Sequence, residues 1–179
     1  SRARGRADAA RVVPPRLSER SAQVVSRFAD AADTLAFKPG VPALARFPVS
    51  AWKSCFDRAF KTAGVAALGY GHPAGEAALR SAILRHLVVA RGVRCDIGQV
   101  VITEGAQEAL NLCVRLATNP GDTAWLEDPG YRGAHTAFRC GDLRVEPVRV
   151  DDAGLLVPAQ AWAAMPPRLI YTTPSHQYP

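Results

Sequence analysis

Beyond residue 98 the chain alternates short apolar, β-branched runs with helical segments, and no other feature constrains the fold as tightly. QVVIT (99–103), TAWLED (123–128), LRVEPVRV (143–150) and RLIYTT (168–173) read as strands. GAQEALNLCVRLAT (105–118) predicts a helix that turns Ala109, Leu110, Cys113, Val114 and Ala117 inward. A turn and a helix follow in PGYRGAHTAFRCG (129–141), and VPAQAWAAM (157–165) predicts a shorter helix. Strand and helix exchanged at this pace build βαβ units, hence an α/β fold with a mostly parallel sheet between flanking helices. Three or four strands that stop just after RLIYTT make an incomplete sheet with open edges, so the expectation is part of a larger α/β domain. No internal repeat is visible.

The first half follows a different grammar. Residues 1–17 have no apolar period and end near Pro14-Pro15, which reads as a linker or disordered tail. Residues 18–35 suit a helix capped by Ser18, and the three prolines of 37–48 an extended loop. A helix is expected behind Ser50, with Trp52, Phe56, Ala59, Phe60 and Ala63 on one stripe and Gly64 closing it. LGYGHPAG (68–75) is too rich in glycine for a regular element. Residues 76–91 return to helix with Gly92 as C-cap. The organisation expected is a lead-in at 1–17, helices and loops at 18–75, and the first part of an α/β domain at 76–179.

Charge has to be located before it can be interpreted. Of a net +6, residues 1–20 carry +4, with six arginines against Asp8 and Glu19. The remainder is nearly neutral, which excludes a basic nucleic-acid-binding body and leaves only a basic tether. Four cysteines without a CxxC pair or a nearby histidine predict buried free thiols rather than a zinc site or disulfide framework. With 48% hydrophobic residues the chain has the material for a core. No apolar run reaches the ~20 residues of a membrane span, and no secretory leader is visible, so a cytoplasmic location is expected.

Two strand ends carry the candidate chemistry. At Thr103-Glu104-Gly105-Ala106-Gln107 a helix opens on a glycine, and its first amides and its dipole suit an anion. The pattern is neither a Walker loop nor GxGxxG, and an ordinary βα turn explains it equally well. At Glu127-Asp128-Pro129-Gly130-Tyr131, Tyr131 is placed to lay its ring over a flat ligand or simply to pack its own helix. Tyr70 lies in the glycine-rich turn. His72, His86, His135 and His176 are too scattered for a triad or a metal set. His176, beside Ser175 and Gln177 in the last loop, has the best claim to a ligand.

Taken in order, FKPGVPALARFPVSAWKS, LGYGHPAGEAALRSAILRHLVVARGV, QVVITEGAQEALNLCVRLATNPGD, WLEDPGYRG and YTTPSHQYP resemble the fold-type I pyridoxal-phosphate (PLP) aminotransferases. FPVSAWKS and TPSHQYP look most like the aminotransferase-like domain of MocR-type GntR transcriptional regulators. The resemblance covers residues 37–179 and implies a homodimer binding pyridoxal 5'-phosphate. By position it implies that Gly105, Ala106 and Gln107 bind the cofactor phosphate through backbone amides and that Tyr131 stacks on the pyridine ring. It further implies that Tyr70 reaches the phosphate in the neighbouring subunit, and that Gly40 and Val41 line the substrate mouth. Where the family has an asparagine before the loop proline, this chain has Tyr178 before Pro179, and Ser175, His176 or Gln177 are the candidates to replace its contact.

The resemblance also implies partners: an amino acid or amine as effector or substrate, and DNA only through a winged-helix domain upstream. The family's Schiff-base lysine, the aspartate for the pyridine nitrogen and the substrate-gripping arginine are expected beyond residue 179. Lys38, Lys53 and Lys61 all precede the sheet, so this stretch is not expected to transaminate by itself. An aminotransferase fragment and a dimerisation module without cofactor are the alternatives.

Overall fold

A computed structural model describes residues 18–20, 42–157 and 159–178. The expected lead-in, most of the helix at 18–35, and Gly40 and Val41 lie outside the described residues. Among the described residues, five helices and four strands follow residue 48: α1 (Val49–Ala63), α2 (Ala77–Arg91), α3 (Ala106–Ala117), β1 (Thr123–Asp128), α4 (Arg132–Cys140), β2 (Arg144–Asp151), β3 (Gly154–Leu155), α5 (Ala159–Ala164) and β4 (Leu169–Tyr171). The sheet order is β3-β2-β1-β4. Both neighbours of β1 run parallel to it, in register Ala124 to Val145 and Ala124 to Leu169. β3 folds back antiparallel on β2.

β1 is the axis of this arrangement. Successive strand residues face opposite sides of a sheet, and all five residues from Thr123 to Glu127 are buried. Ala124 and Leu126 join Val114, Ala134, Ala137, Phe138 and Leu143 in one apolar cluster beneath α3 and α4. Trp125 meets Trp162 of α5 edge to face, with ring centroids 5.5 Å apart. The chain crosses from β1 to β2 through α4, then returns past β1 to β4 through α5. A right-handed crossover that reverses direction puts its helix on the opposite face, which is why the two tryptophans meet on the side away from Phe138.

Close approach in the core depends on small residues. Ala134 and Ala137 lie at i and i+3 on α4, and Phe138 follows as a fully buried ring. A Cβ at Gly141 would stand 2.3 Å from Val114 Cγ1, so glycine there lets the end of α4 meet α3.

The structure corrects several sequence expectations. QVVIT is not a strand: it holds the end of a 3-10 turn at Ile97–Gln99 and then runs without a ladder partner among the described residues. β-branched composition favours an extended chain, but a strand also needs a neighbour to bond. Other contacts hold the segment. Ile102 N–H donates to Ala74 O at 2.9 Å, and the buried Arg80 donates to Val100 O at 2.7 Å and to Ile97 O. Gly75, at φ 100°, has no room for a Cβ beside Ile102.

The helix expected behind Ser50 starts at Val49, and Pro48 rather than Ser50 is its N-cap. Its apolar stripe is present but exposed among the described residues, with Phe56 stacked on Phe60 and Trp52 tilted on Phe47. The thiols are not buried as expected. Cys55 and Cys113 are exposed, Cys95 and Cys140 half-buried, and all four are free. Cys113 therefore leaves the inward set on α3, where Val114 is buried and Ala109, Leu110 and Ala117 are half-buried. The last strand is shorter than RLIYTT, and the two-residue β3 went unpredicted. Gly92 does cap α2 in the left-handed conformation at φ 63°.

The fully buried Phe138 provides the test of this core. Phe138→Ala is expected to lower unfolding free energy by about 3–5 kcal/mol, read from urea denaturation. Leu116→Ala, at a position 78% exposed, is expected to change it by less than about 0.5 kcal/mol.

Candidate functional site

The C-terminal ends of β1 and β4 and the N-terminus of α3 come together at one edge of the core. Gly105 is the N-cap of α3 at φ 132°, a backbone region that disfavours side chains, with no side-chain cap bond. The first helical bond runs from Ala109 N–H to Gly105 O at 3.1 Å. The amides of Ala106, Gln107 and Glu108 therefore precede the ladder, as the opening N–H groups of any helix do. The Glu108 carboxylate takes the N–H of Glu104, before the turn. What remains is an open helix start whose dipole favours an anion.

Tyr131 lies beside this helix start. Gln107 Nε2 donates to Tyr131 Oη at 3.3 Å, so the α3 opening and the phenol share one side of the molecule. Tyr131 is the N-cap residue of α4. Its ring tilts 32° to Tyr171 at 6.3 Å, and Tyr178 meets it edge-on at 5.8 Å. Burial pushes the Tyr171 phenol above its ordinary value, with smaller contributions from Tyr131 and Glu127. Gly133 makes room for the pair: a Cβ there would stand 2.1 Å from Gln107 Nε2 and 2.5 Å from the Tyr131 ring. Sequence reading missed Gly133, since a glycine in the first turn of a helix gives no local sign of what lies above it.

Glu127 is the second residue missed. Only 5% exposed at the end of β1, its carboxylate accepts the Thr173 N–H at 3.0 and 3.1 Å and the Thr173 hydroxyl at 2.6 Å. Gln177 adds a clasp from the same loop, donating through Nε2 to Pro129 O at 2.8 Å. A buried carboxylate is tolerated when such donors satisfy it. The loop after β4 is thereby drawn onto the loop after β1, which carries Tyr178 to Tyr131. Gln177 is committed to this clasp.

The structure does not gather every candidate. Tyr70 is fully exposed, and His176 is exposed in the last loop. Lys53 and Lys61 lie on α1, so among the described residues no lysine stands on the loops after β1 and β4. No three His, Cys, Asp or Glu side chains form a metal-binding group among the described residues, and there no helix is long and apolar enough to cross a membrane.

Comparison with known proteins gives matches in sequence and in fold. Residues 38–163 match the family model for aminotransferase class I and II. The chain is 33% identical over 167 residues to the probable rhizopine catabolism regulatory protein MocR of Rhizobium meliloti, covering 92% of this chain and 34% of that protein. Among solved structures it resembles LysN, the α-aminoadipate aminotransferase of Thermus thermophilus, complexed with N-(5'-phosphopyridoxyl)-L-leucine. The TM-score is 0.67 at 32% identity, over 79% of this chain and 35% of that one. The kynurenine aminotransferase of Pyrococcus horikoshii gives a TM-score of 0.68 at 27% identity, over 77% and 36%. The chain thus spans about a third of the length of these relatives.

Removing the carboxylate that joins the two loops is the direct test of the clasp. Glu127→Ala leaves the Thr173 N–H and hydroxyl unsatisfied and is expected to cost about 1–3 kcal/mol, with faster proteolysis within residues 172–178. Glu127→Gln retains one acceptor oxygen and is expected to lose less on both measures.

Proposed function

Since the chain belongs to the aminotransferase class I and II family, we propose that it is the PLP-holding part of an aminotransferase-like effector domain in a MocR-type transcriptional regulator. The Gln107–Tyr131 hydrogen bond carries this reading, because it sets an open helix start and an aromatic ring side by side. A planar phosphorylated ligand needs that combination. The backbone amides of Gly105, Ala106 and Gln107 hold the phosphate, favoured by the helix dipole. Tyr131 stacks on the pyridine ring, and Gly133 leaves it room. Tyr178 borders the ring and His176 completes the outer rim of the same loop.

Bound PLP supplies an electron sink for chemistry at an amino carbon. The residues present fit its phosphate and its ring. Tyr70, fully exposed, is assigned to the phosphate of a partner subunit's cofactor, which makes the working unit a homodimer, and Gly40 and Val41 are assigned to the mouth that admits an amino acid or amine. An effector acts on DNA only by favouring one of two arrangements of the whole regulator, through a winged helix upstream of this chain.

A second reading, part of a catalytic aminotransferase acting on an amino acid and a 2-oxo acid, is favoured by the likeness to LysN. The coding sequence upstream of Ser1 separates the two: a winged-helix pattern selects the regulator.

Titration of the full-length protein with PLP, followed by absorbance, tests the site. Tyr131→Ala is expected to weaken binding at least tenfold, and Gly133→Ala by a smaller factor as its Cβ displaces the ring. Arg91→Ala, at the far end of α2, is expected to leave binding unchanged. Equal loss in all three variants removes the stacking assignment.

A further inference from the structure

A cavity of about 540 Å³ opens beside this site, between α4 and β2. α4 packs on β1 and β2 through Ala134, Ala137 and Phe138, and the cavity runs along the flank of the helix that carries Arg132 and Arg139. Leu126, Val145 and Pro147 form an apolar floor, and Val145 and Pro147 pair with Ala124 and Leu126 across the ladder. Arg132, His135, Thr136 and Arg139 form the facing wall, at i, i+3, i+4 and i+7 on the helix. Neither Gln107 nor Tyr131 lines it.

The helix wall carries the cations, and the acids of the cavity stand on the strand end. Among the described residues, neither the Arg132 nor the Arg139 guanidinium is in an ion pair or a side-chain hydrogen bond. Two arginines that a folded chain leaves uncommitted on one cavity wall remain available to an anion, and guanidinium binds carboxylates in bidentate fashion. His135 sits between them. Burial, then Arg139, then Arg132 hold its imidazole below the ordinary histidine value. At the other end stand two acids. Glu127 is occupied by Thr173, and Asp128 lies beside Arg149 across the ladder.

Spacing selects the ligand. Arg132 and Arg139 leave the helix seven residues apart, about 10 Å along its axis, so each can hold a carboxylate of its own. An apolar floor running beside two separated cations on one wall matches a short methylene chain with a carboxylate at each end. The volume is within the few hundred Å³ usual for small-molecule sites. We propose that this cavity binds a small aliphatic dicarboxylate, bridged between Arg132 and Arg139 with its methylenes on Leu126, Val145 and Pro147. The site is independent of the PLP reading, since it shares no proposed cofactor-binding residue with it.

Calorimetric titration of the full-length protein with glutarate, in the presence and absence of PLP, is the test. A binding event that Arg132→Gln and Arg139→Gln each weaken at least tenfold, and that is unaltered by PLP, is the expected result. Butyrate, with one carboxylate, is expected to bind at least tenfold more weakly. Because a variant can perturb folding, the His135 ring resonances of the unaltered protein provide a second reading, and glutarate is expected to shift them. Glutarate binding that survives both arginine substitutions, inorganic phosphate binding as tightly as glutarate, or a His135 signal that glutarate leaves unmoved overturns the proposal. Loss of PLP absorbance with glutarate binding retained would count against the cofactor reading alone.

Discussion

Burial of β1 on both faces is the constraint from which the rest of this structure follows. A strand that must cover Ala124 and Leu126 on one side and Trp125 on the other requires helices on both. It also requires strands on both edges, and β2 and β4 provide them in parallel. Parallel neighbours demand crossover connections, and these deliver α4 and α5 to opposite faces. Hydrophobic burial at roughly 25 cal/mol per Å² makes this axis the hardest part of the molecule to disturb, and the candidate site is built on its exit.

From β1 the consequences run straight to the ligand-facing edge. Its last buried residue, Glu127, is charged, and the charge is held by the Thr173 amide and hydroxyl. The loop after β4 is therefore fastened to the loop after β1 by an interaction that neither loop makes by itself. Tyr178, Tyr171 and Tyr131 meet as a result, and Tyr131 then reaches Gln107. The same strand ending borders the cavity beside α4, so both candidate sites hang from one scaffold element, one on each flank of α4.

The N-terminal half shows the opposite condition. α1 is a well-formed helix with an amphipathic stripe, yet Trp52, Phe56 and Phe60 stay exposed among the described residues. QVVIT has strand composition and no partner to pair with there. Among the described residues, no packing partner uses the stripe of α1 and no ladder uses the strand composition of QVVIT. That pattern agrees with a chain spanning about a third of the length of its relatives.

What the sequence by itself determined is what depends on near neighbours along the chain. The βαβ alternation, the helix from 106 to 117 behind Gly105, the cap at Gly92, and Tyr131 at the head of its helix all rest on periodicity and backbone preference. The tertiary structure alone decided which of these pieces touch. It brought Gln107 to a phenol 24 positions away and Thr173 to a carboxylate 46 positions away, and it made Gly133 and Gly141 necessary to their neighbours. It also withheld a ladder from QVVIT and burial from Cys113. Side-chain period and turn chemistry are local quantities, whereas a hydrogen bond across the sheet edge, or the space for a Cβ, exists only once distant segments have packed.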